Sequence, residues 1–151
     1  MSNINFDNGM KSYVINGDES KVIYFNPNDF NIIDRIDKAV KEIEKISKKY
    51  EEAQAKNQDV MKTFIACDKD IREQINYVFG NDVCSVAFGD INCMSFAGGN
   101  PIHLNFLNAL IPIIKKEIKA EQEKSKKNIE KYTKQVKKWL VVYRKHSKSA
   151  G

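Results

Sequence analysis

Acid–base, thiol or metal chemistry in this sequence would have to be done by two histidines, three cysteines and one close pair of aspartates. These are His103 and His146, Cys67, Cys84 and Cys93, and Asp68 with Asp70. Zinc ligands usually come in pairs about two to five residues apart, and neither histidine has a Cys or His at that distance. No metal or other cofactor is expected. Cys93 and His103 could in principle pair as nucleophile and base, but nothing marks a base, an orienting carboxylate and an oxyanion hole together. An inert buried thiol is the plainer reading. The odd cysteine count and wide spacing suit reduced core thiols better than a disulfide framework. Asp68 and Asp70 point to different sides of a helix and are expected to be solvated surface charges. Gly98-Gly99-Asn100-Pro101 invites comparison with a phosphate loop, since helix-start amides bind anions. It lacks both the Lys-Ser/Thr ending and the dinucleotide fingerprint, so a turn entering a helix at Ile102 is the better reading. No enzymatic activity is expected.

The segment with a signal above background is basic. Residues 1–114 carry 12 Lys+Arg and 16 Asp+Glu, net −4, whereas residues 115–151 carry 13 and 4, net +9. Lys124, Lys127, Lys131, Lys134 and Lys138 belong to this basic face, whose field can steer an acidic partner. Nucleic acid is one candidate, with affinity that would fall steeply with salt. Against it, Tyr132, Trp139 and Tyr143 do not interleave with the lysines. They fall with Ile129 and Val136, Leu140 being the alternative to Trp139, on a seam of three- and four-residue steps, a coiled-coil-like pattern suited to helix-to-helix docking. Protein contact is therefore preferred over nucleic acid.

The elements that position these residues follow from turn signals and periodicity. Ile4 to Phe6, Met10 to Ile15 and Lys21 to Phe25 read as short strands separated by Asn8-Gly9 and Asn16-Gly17-Asp18, a small antiparallel meander. The middle strand alternates poorly, which leaves its buried face open. Asn28 or Asp29 caps a helix whose Ile33, Ile36, Val40, Ile43, Ile46 and Tyr50 share one face. A loop is expected near Asn57-Gln58-Asp59. A second, antiparallel helix then runs from about Asp59 to a left-handed cap at Gly80. Residues 81–101 read as a compact connection with buried anchors and one short helix. A third long element starts near Ile102, is interrupted near Pro112, where a new helix starts or the old one kinks, and has no apolar anchor between Ile118 and Ile129. His146 to Gly151 is expected to be disordered.

A hydrophobic fraction of 42% with 30% charged residues is enough for a real core and too apolar for wholesale disorder. No stretch approaches the roughly 18 apolar residues that cross a bilayer, and the polar start MSNINFDNG lacks a signal-peptide pattern. No membrane association is expected, and the location expected is the cytoplasm.

Three segments together resemble the tail assembly chaperones of long-tailed phages and prophages of low-GC bacteria. The first is Asn5 to Asp7 with Asn8-Gly9, Tyr13-Val14-Ile15-Asn16-Gly17 and the helix opening Asp29 to Ile36. The second is Ile75-Asn76-Tyr77-Val78-Phe79-Gly80 leading through Cys84 to Val86-Ala87-Phe88-Gly89. The third is Gly98-Gly99-Asn100-Pro101 with Asn105-Phe106-Leu107-Asn108-Ala109-Leu110 and Ile111-Pro112. The resemblance implies a non-enzymatic factor, acting in the bacterial host cytoplasm, that binds the phage tape-measure protein and presents it to the tail-tube protein.

The fold expected is α+β with helix dominant: an N-terminal β-meander on a helical core over residues 1–114, then a basic amphipathic helix and short tail over 115–151. Client contact is expected on two stripes, Ile129, Tyr132, Val136, Trp139 and Tyr143 on one and Ile33, Ile36, Val40 and Ile43 on the other. Self-association would bury the same surfaces, so homo-oligomers are expected. The alternatives are a nucleic-acid-binding accessory protein and a structural component of the virion tail.

Overall fold

The computed structural model describes residues 1–56 and 59–149, with the side chains of Tyr132, Gln135, Val136 and residues 139–149 outside the description. The fold is helix-dominant α+β, and the chain divides into two units, Met1–Ile114 and Lys115–Gly151. Its first elements are β1 (Lys11–Ile15) and β2 (Asp18–Phe25), an antiparallel hairpin. The turn works because Asn16 (φ 50) and Gly17 (φ 74) both accept positive φ, as a tight hairpin turn demands. A register shift between Val14 and Ile15 pairs Ile15 with Asp18. The blurred alternation resolves here: Ile23 and Phe25 are buried, Tyr13 and Ile15 half-buried, and Val14 and Tyr24 exposed.

The expected third strand, Ile4 to Phe6, does not form, so the meander is a two-stranded hairpin. Three residues bring only two apolar side chains, Ile4 and Phe6, and both stay exposed. The turn that would have returned the chain is not closed either. The Met10 N–H donates to the Asn8 side chain at 3.1 Å, and the Gly9 N–H to the Asp7 carboxylate at 2.8 Å.

Helix α1 (Phe30–Ala55) starts where the Asp29 carboxylate accepts the Asn31 N–H, satisfying one of the orphan donors of the first turn. Helix α2 (Val60–Phe79) repeats the device with Asp59 and ends on Gly80 at φ 73. Of the expected loop, Asn57 and Gln58 lie outside the described residues. The helices are antiparallel neighbours. Tyr50 meets Phe64 edge-on at 4.9 Å, the Cys67 thiol lies 3.8 Å from the Ile46 carbonyl, and Arg35 stacks over Tyr77. The outer face of α1 carries Asp34–Lys38, Asp37–Lys41 and Glu42–Lys45 pairs, each exposed and each a minor contribution.

Helix α3 (Val83–Phe88) follows, as one short helix in the connection. Two pieces too short to be legible in the sequence, β3 (Phe96–Ala97) and β4 (Asn100–Pro101), then pair around Gly98-Gly99. Helix α4 (Ile102–Ser149) is continuous through Pro112, so of the two expectations, a new helix or a kink in the old one, the first is not met. A proline in a helix removes the bond to the carbonyl four residues back. Here that carbonyl belongs to Asn108, and both residues are exposed, so water can take the missing donor's place. The helix also continues through Ser149, so residues 146–149 of the expected disordered tail are helical, while Ala150 and Gly151 lie outside the description.

The core of the first unit joins Ile43 and Ile46 of α1, Cys67, Ile71 and Ile75 of α2, Cys84 and Phe88 of α3, Cys93 and Met94 of the connection that follows, and Leu107 of α4. Ile71 is fully buried, and each such aliphatic side chain contributes roughly 1.5–3 kcal/mol by leaving water. In the second unit every residue from Lys119 to Lys131 is exposed. Among the described residues no helix is long and apolar enough to cross a membrane.

Candidate protein-docking surface

Three elements converge on one groove, and a polar staple ties one of them, the connection after α3, to α2. Arg72 of α2 sits between the Asp68 carboxylate, at 3.0 Å, and the carbonyls of Gly89 and Ile91, which it reaches at 2.9 and 2.6 Å. The same Asp68 oxygen accepts the Cys93 N–H at 2.8 Å. Burial alone would raise the Asp68 carboxyl, but the bonds from Cys93 and Arg72 and the guanidinium charge bring it net below its ordinary 3.8. Asp68 is therefore a half-buried anchor for the connection after α3, not the solvated charge expected; Asp70 is exposed. The carboxylate and guanidinium satisfy backbone groups that the tight turns leave unpaired.

This staple accounts for the residues that could have carried chemistry. Cys67, Cys84 and Cys93 are free buried thiols, and burial pushes all three up, Cys84 to about 12 and Cys93 further, so each stays protonated near neutrality. The Cys93 thiol lies 3.8 Å from the Asp68 carbonyl, whereas the His103 ring pairs through Nδ1 with the Cys93 carbonyl at 3.0 Å. His103 therefore bonds the backbone of Cys93, and burial lowers its pKa below 6.5. A nucleophile–base pair is not what these two residues form. Among the described residues no cluster of His, Cys, Asp or Glu could hold a metal ion.

The groove lies within the first unit and has a volume of about 540 Å³. Tyr13, Val14 and Ile15 of β1 and Ile23 and Phe25 of β2 form one wall. Ala87, Phe88 and Ile91 form a second, and α4 supplies the third with Ile102, Phe106, Ala109, Leu110 and Ile113. The α4 residues recur at helical spacing, so one face of its first turns looks into the groove. Ring packing stiffens the walls: Tyr13 stacks on Phe25 at 4.8 Å, Phe25 meets Phe79 edge-on at 5.1 Å, and Phe88 meets Phe106 edge-on at 5.6 Å. None of the lining residues is Asp, Glu, Lys or Arg. Val14, Ile91 and Ile113 line it while remaining 48%, 58% and 39% exposed.

The residues nominated from the sequence fall elsewhere. On the α1 stripe Ile43 is buried in the core, whereas Ile33, Ile36 and Val40 are half-buried. On the other stripe Ile129 is 63% exposed, and the side chains of Tyr132, Val136, Trp139 and Tyr143 lie outside the description. Lys124, Lys127, Lys131, Lys134 and Lys138 are all exposed, as a solvated basic face requires. The groove itself was missed, though a signal was present: residues 91–114 contain no Asp, Glu, Lys or Arg, long for a chain that is 30% charged.

The chain matches no protein-family model, no curated protein and no solved structure. The site is thus defined by its own geometry: a neutral, aromatic-walled groove on a helical body.

Proposed function

We propose that this protein is a non-enzymatic assembly chaperone of a phage tail, one that binds the tape-measure protein and assists assembly of the tail-tube protein. The observation that carries the reading is the uncharged groove between the hairpin and α4, with Val14, Ile91 and Ile113 exposed along it. An apolar stripe of a long helical client, laid in that groove, would cover these side chains and the rings behind them, the usual logic of helix-in-groove recognition. All three segments that resemble tail assembly chaperones contribute to the lining: Tyr13 to Asn16 from the first, Ala87 and Phe88 from the second, Asn105, Phe106, Ala109 and Leu110 from the third. The protonated cysteines and the backbone-bound His103 support a binding role over a catalytic one.

A second reading has its own observation. The net charge of +9 on residues 115–151, with Lys124 to Lys138 exposed, favours a nucleic-acid-binding accessory protein. One experiment separates them: co-expression with the tape-measure protein of a tail-gene cluster, then co-purification in moderate salt with and without nuclease. The chaperone reading predicts a nuclease-resistant complex. Loss of the complex on nuclease treatment, with nucleic acid retained by the protein alone, would overturn it in favour of the basic helix.

A further inference from the structure

The segment before the hairpin has the composition of a strand and the surroundings of none. Residues 1–10 form no helix or strand, and Ile4 and Phe6 are 88% and 76% exposed. Asn3 and Asn5 alternate with them, so in an extended chain Ile4 and Phe6 share one face. The root of this arm is fixed. Asn26 donates from Nδ2 to the Asn8 carbonyl at 3.0 Å, and Gly9, at φ 74, passes so close that an added Cβ would lie 2.6 Å from Asn26 Nδ2.

From that root the arm does not reverse onto its own hairpin. Closing a two-residue turn at Asn8-Gly9 needs the Met10 N–H on the Asp7 carbonyl. That N–H is bonded to the Asn8 side chain instead, and Asp7 spends its carboxylate on Gly9. The polar bonds at the root thus hold the chain out of the return path to β1, whose Tyr13, Val14 and Ile15 line the groove.

We infer that the arm Met1–Phe6 of one copy lies in the groove of a second copy, seating Ile4 and Phe6 against Val14, Ile91 and Ile113. Charge decides between the two segments of a second copy that could enter. The side chains of Met1–Phe6 are uncharged, as is the groove lining, and the arm's one ammonium, at Met1, lies three residues before Ile4 and can stay in water. The basic helix would instead bring lysines to a surface with no carboxylate to receive them, and desolvating an unpaired ammonium is costly. The contact stands on this geometry alone. Its further use, covering the groove until a client displaces the arm, rests on the chaperone reading.

The test uses two full-length single variants, Ser2→Cys in a tagged copy, which keeps both Ile4 and Phe6, and Ala109→Cys in an untagged copy, mixed and mildly oxidised. Both positions are exposed, and the native thiols are buried, so neither folding nor background pairing interferes. The expected result is a tagged–untagged disulfide well above the roughly twofold excess over each homodimer that unbiased pairing of equal amounts would give. Adding Ile4→Asp to the tagged copy should reduce it by about tenfold or more, the effect of removing one buried aliphatic anchor. Absence of the mixed disulfide would overturn the proposal. So would a chain carrying both cysteines that closes on itself at high dilution, because the arm would then occupy its own groove. Failure of this cross-link leaves client binding intact, whereas loss of the client complex leaves the cross-link intact, so the two ideas fail separately.

Discussion

Residues 1–114 and residues 115–151 place the same amino-acid pattern under opposite conditions. Both contain an apolar stripe at helical spacing between charged flanks. In the first, Ile43 and Ile46 of α1 are closed into a core with Ile71, Ile75 and Leu107. In the second, Ile129 stands 63% exposed on a helix whose residues from Lys119 to Lys131 are all exposed. The difference teaches that periodicity reports that a face is apolar, and other information decides what covers it. The two isoleucines, Ile43 and Ile129, make that comparison measurable.

The largest effect should come from Ile43→Ala, which removes a buried aliphatic and leaves a partly unfilled space, costing about 2–5 kcal/mol in urea unfolding. A smaller loss would mean that α1 presents its stripe outward after all. Pro112→Ala should act in the opposite direction. It restores a helical donor in an exposed turn of α4, and stability should rise by up to about 3 kcal/mol in the same assay. Next in size is Arg72→Met, which keeps the aliphatic stem but takes the guanidinium from Asp68 and two carbonyls. A loss of about 2 kcal/mol is expected, with faster hydrogen exchange over residues 89–93 as the local readout.

The His103 effect is smaller and has a defined sign. Burial lowers its folded pKa below 6.5, and the bond to the Cys93 carbonyl offsets part of that. The unfolded chain therefore takes up the proton first as pH falls, so stability is complete above pH 6.5 and declines below it. Melting temperature should drop between about pH 7 and pH 5, and His103→Asn, which keeps a donor near Nδ1, should flatten that decline. Asp68 does not confuse the window, because its contribution is lost only as pH falls through and below 3.8. Last comes Ile129→Ala, expected to change stability by no more than about 0.5 kcal/mol, as for other exposed positions.

What could be read in advance was local. The caps Asp29 and Asp59, the left-handed Gly80 and the Asn16-Gly17 turn each act within a few residues, and each stands where its own chemistry puts it. The misplaced features depend on partners far along the chain or on solvent. Asp68 became an anchor because the Cys93 N–H, 25 residues on, needed an acceptor. Strand formation at Ile4 to Phe6 required a neighbour that the Asn8 and Asp7 side chains deny it. Pro112 stays within α4 because the carbonyl it leaves without a donor, that of Asn108, is on the exposed side. The groove was hidden for the same reason, since its walls come from residues 13–25, 87–91 and 102–113 and no single stretch shows them together.

The central claim is that the neutral groove, and not the lysine face, holds the client. Capture of co-expressed tape-measure protein should be compared for the unaltered chain, for Ala109→Arg in the groove, and for a chain with Lys124, Lys127, Lys131 and Lys134 all changed to Gln. Ala109 is exposed, so the arginine tests the groove without opening the core. The account predicts that Ala109→Arg reduces capture about tenfold or more while the four-lysine variant captures as the unaltered chain does. Capture that survives Ala109→Arg and is lost with the lysines would contradict it.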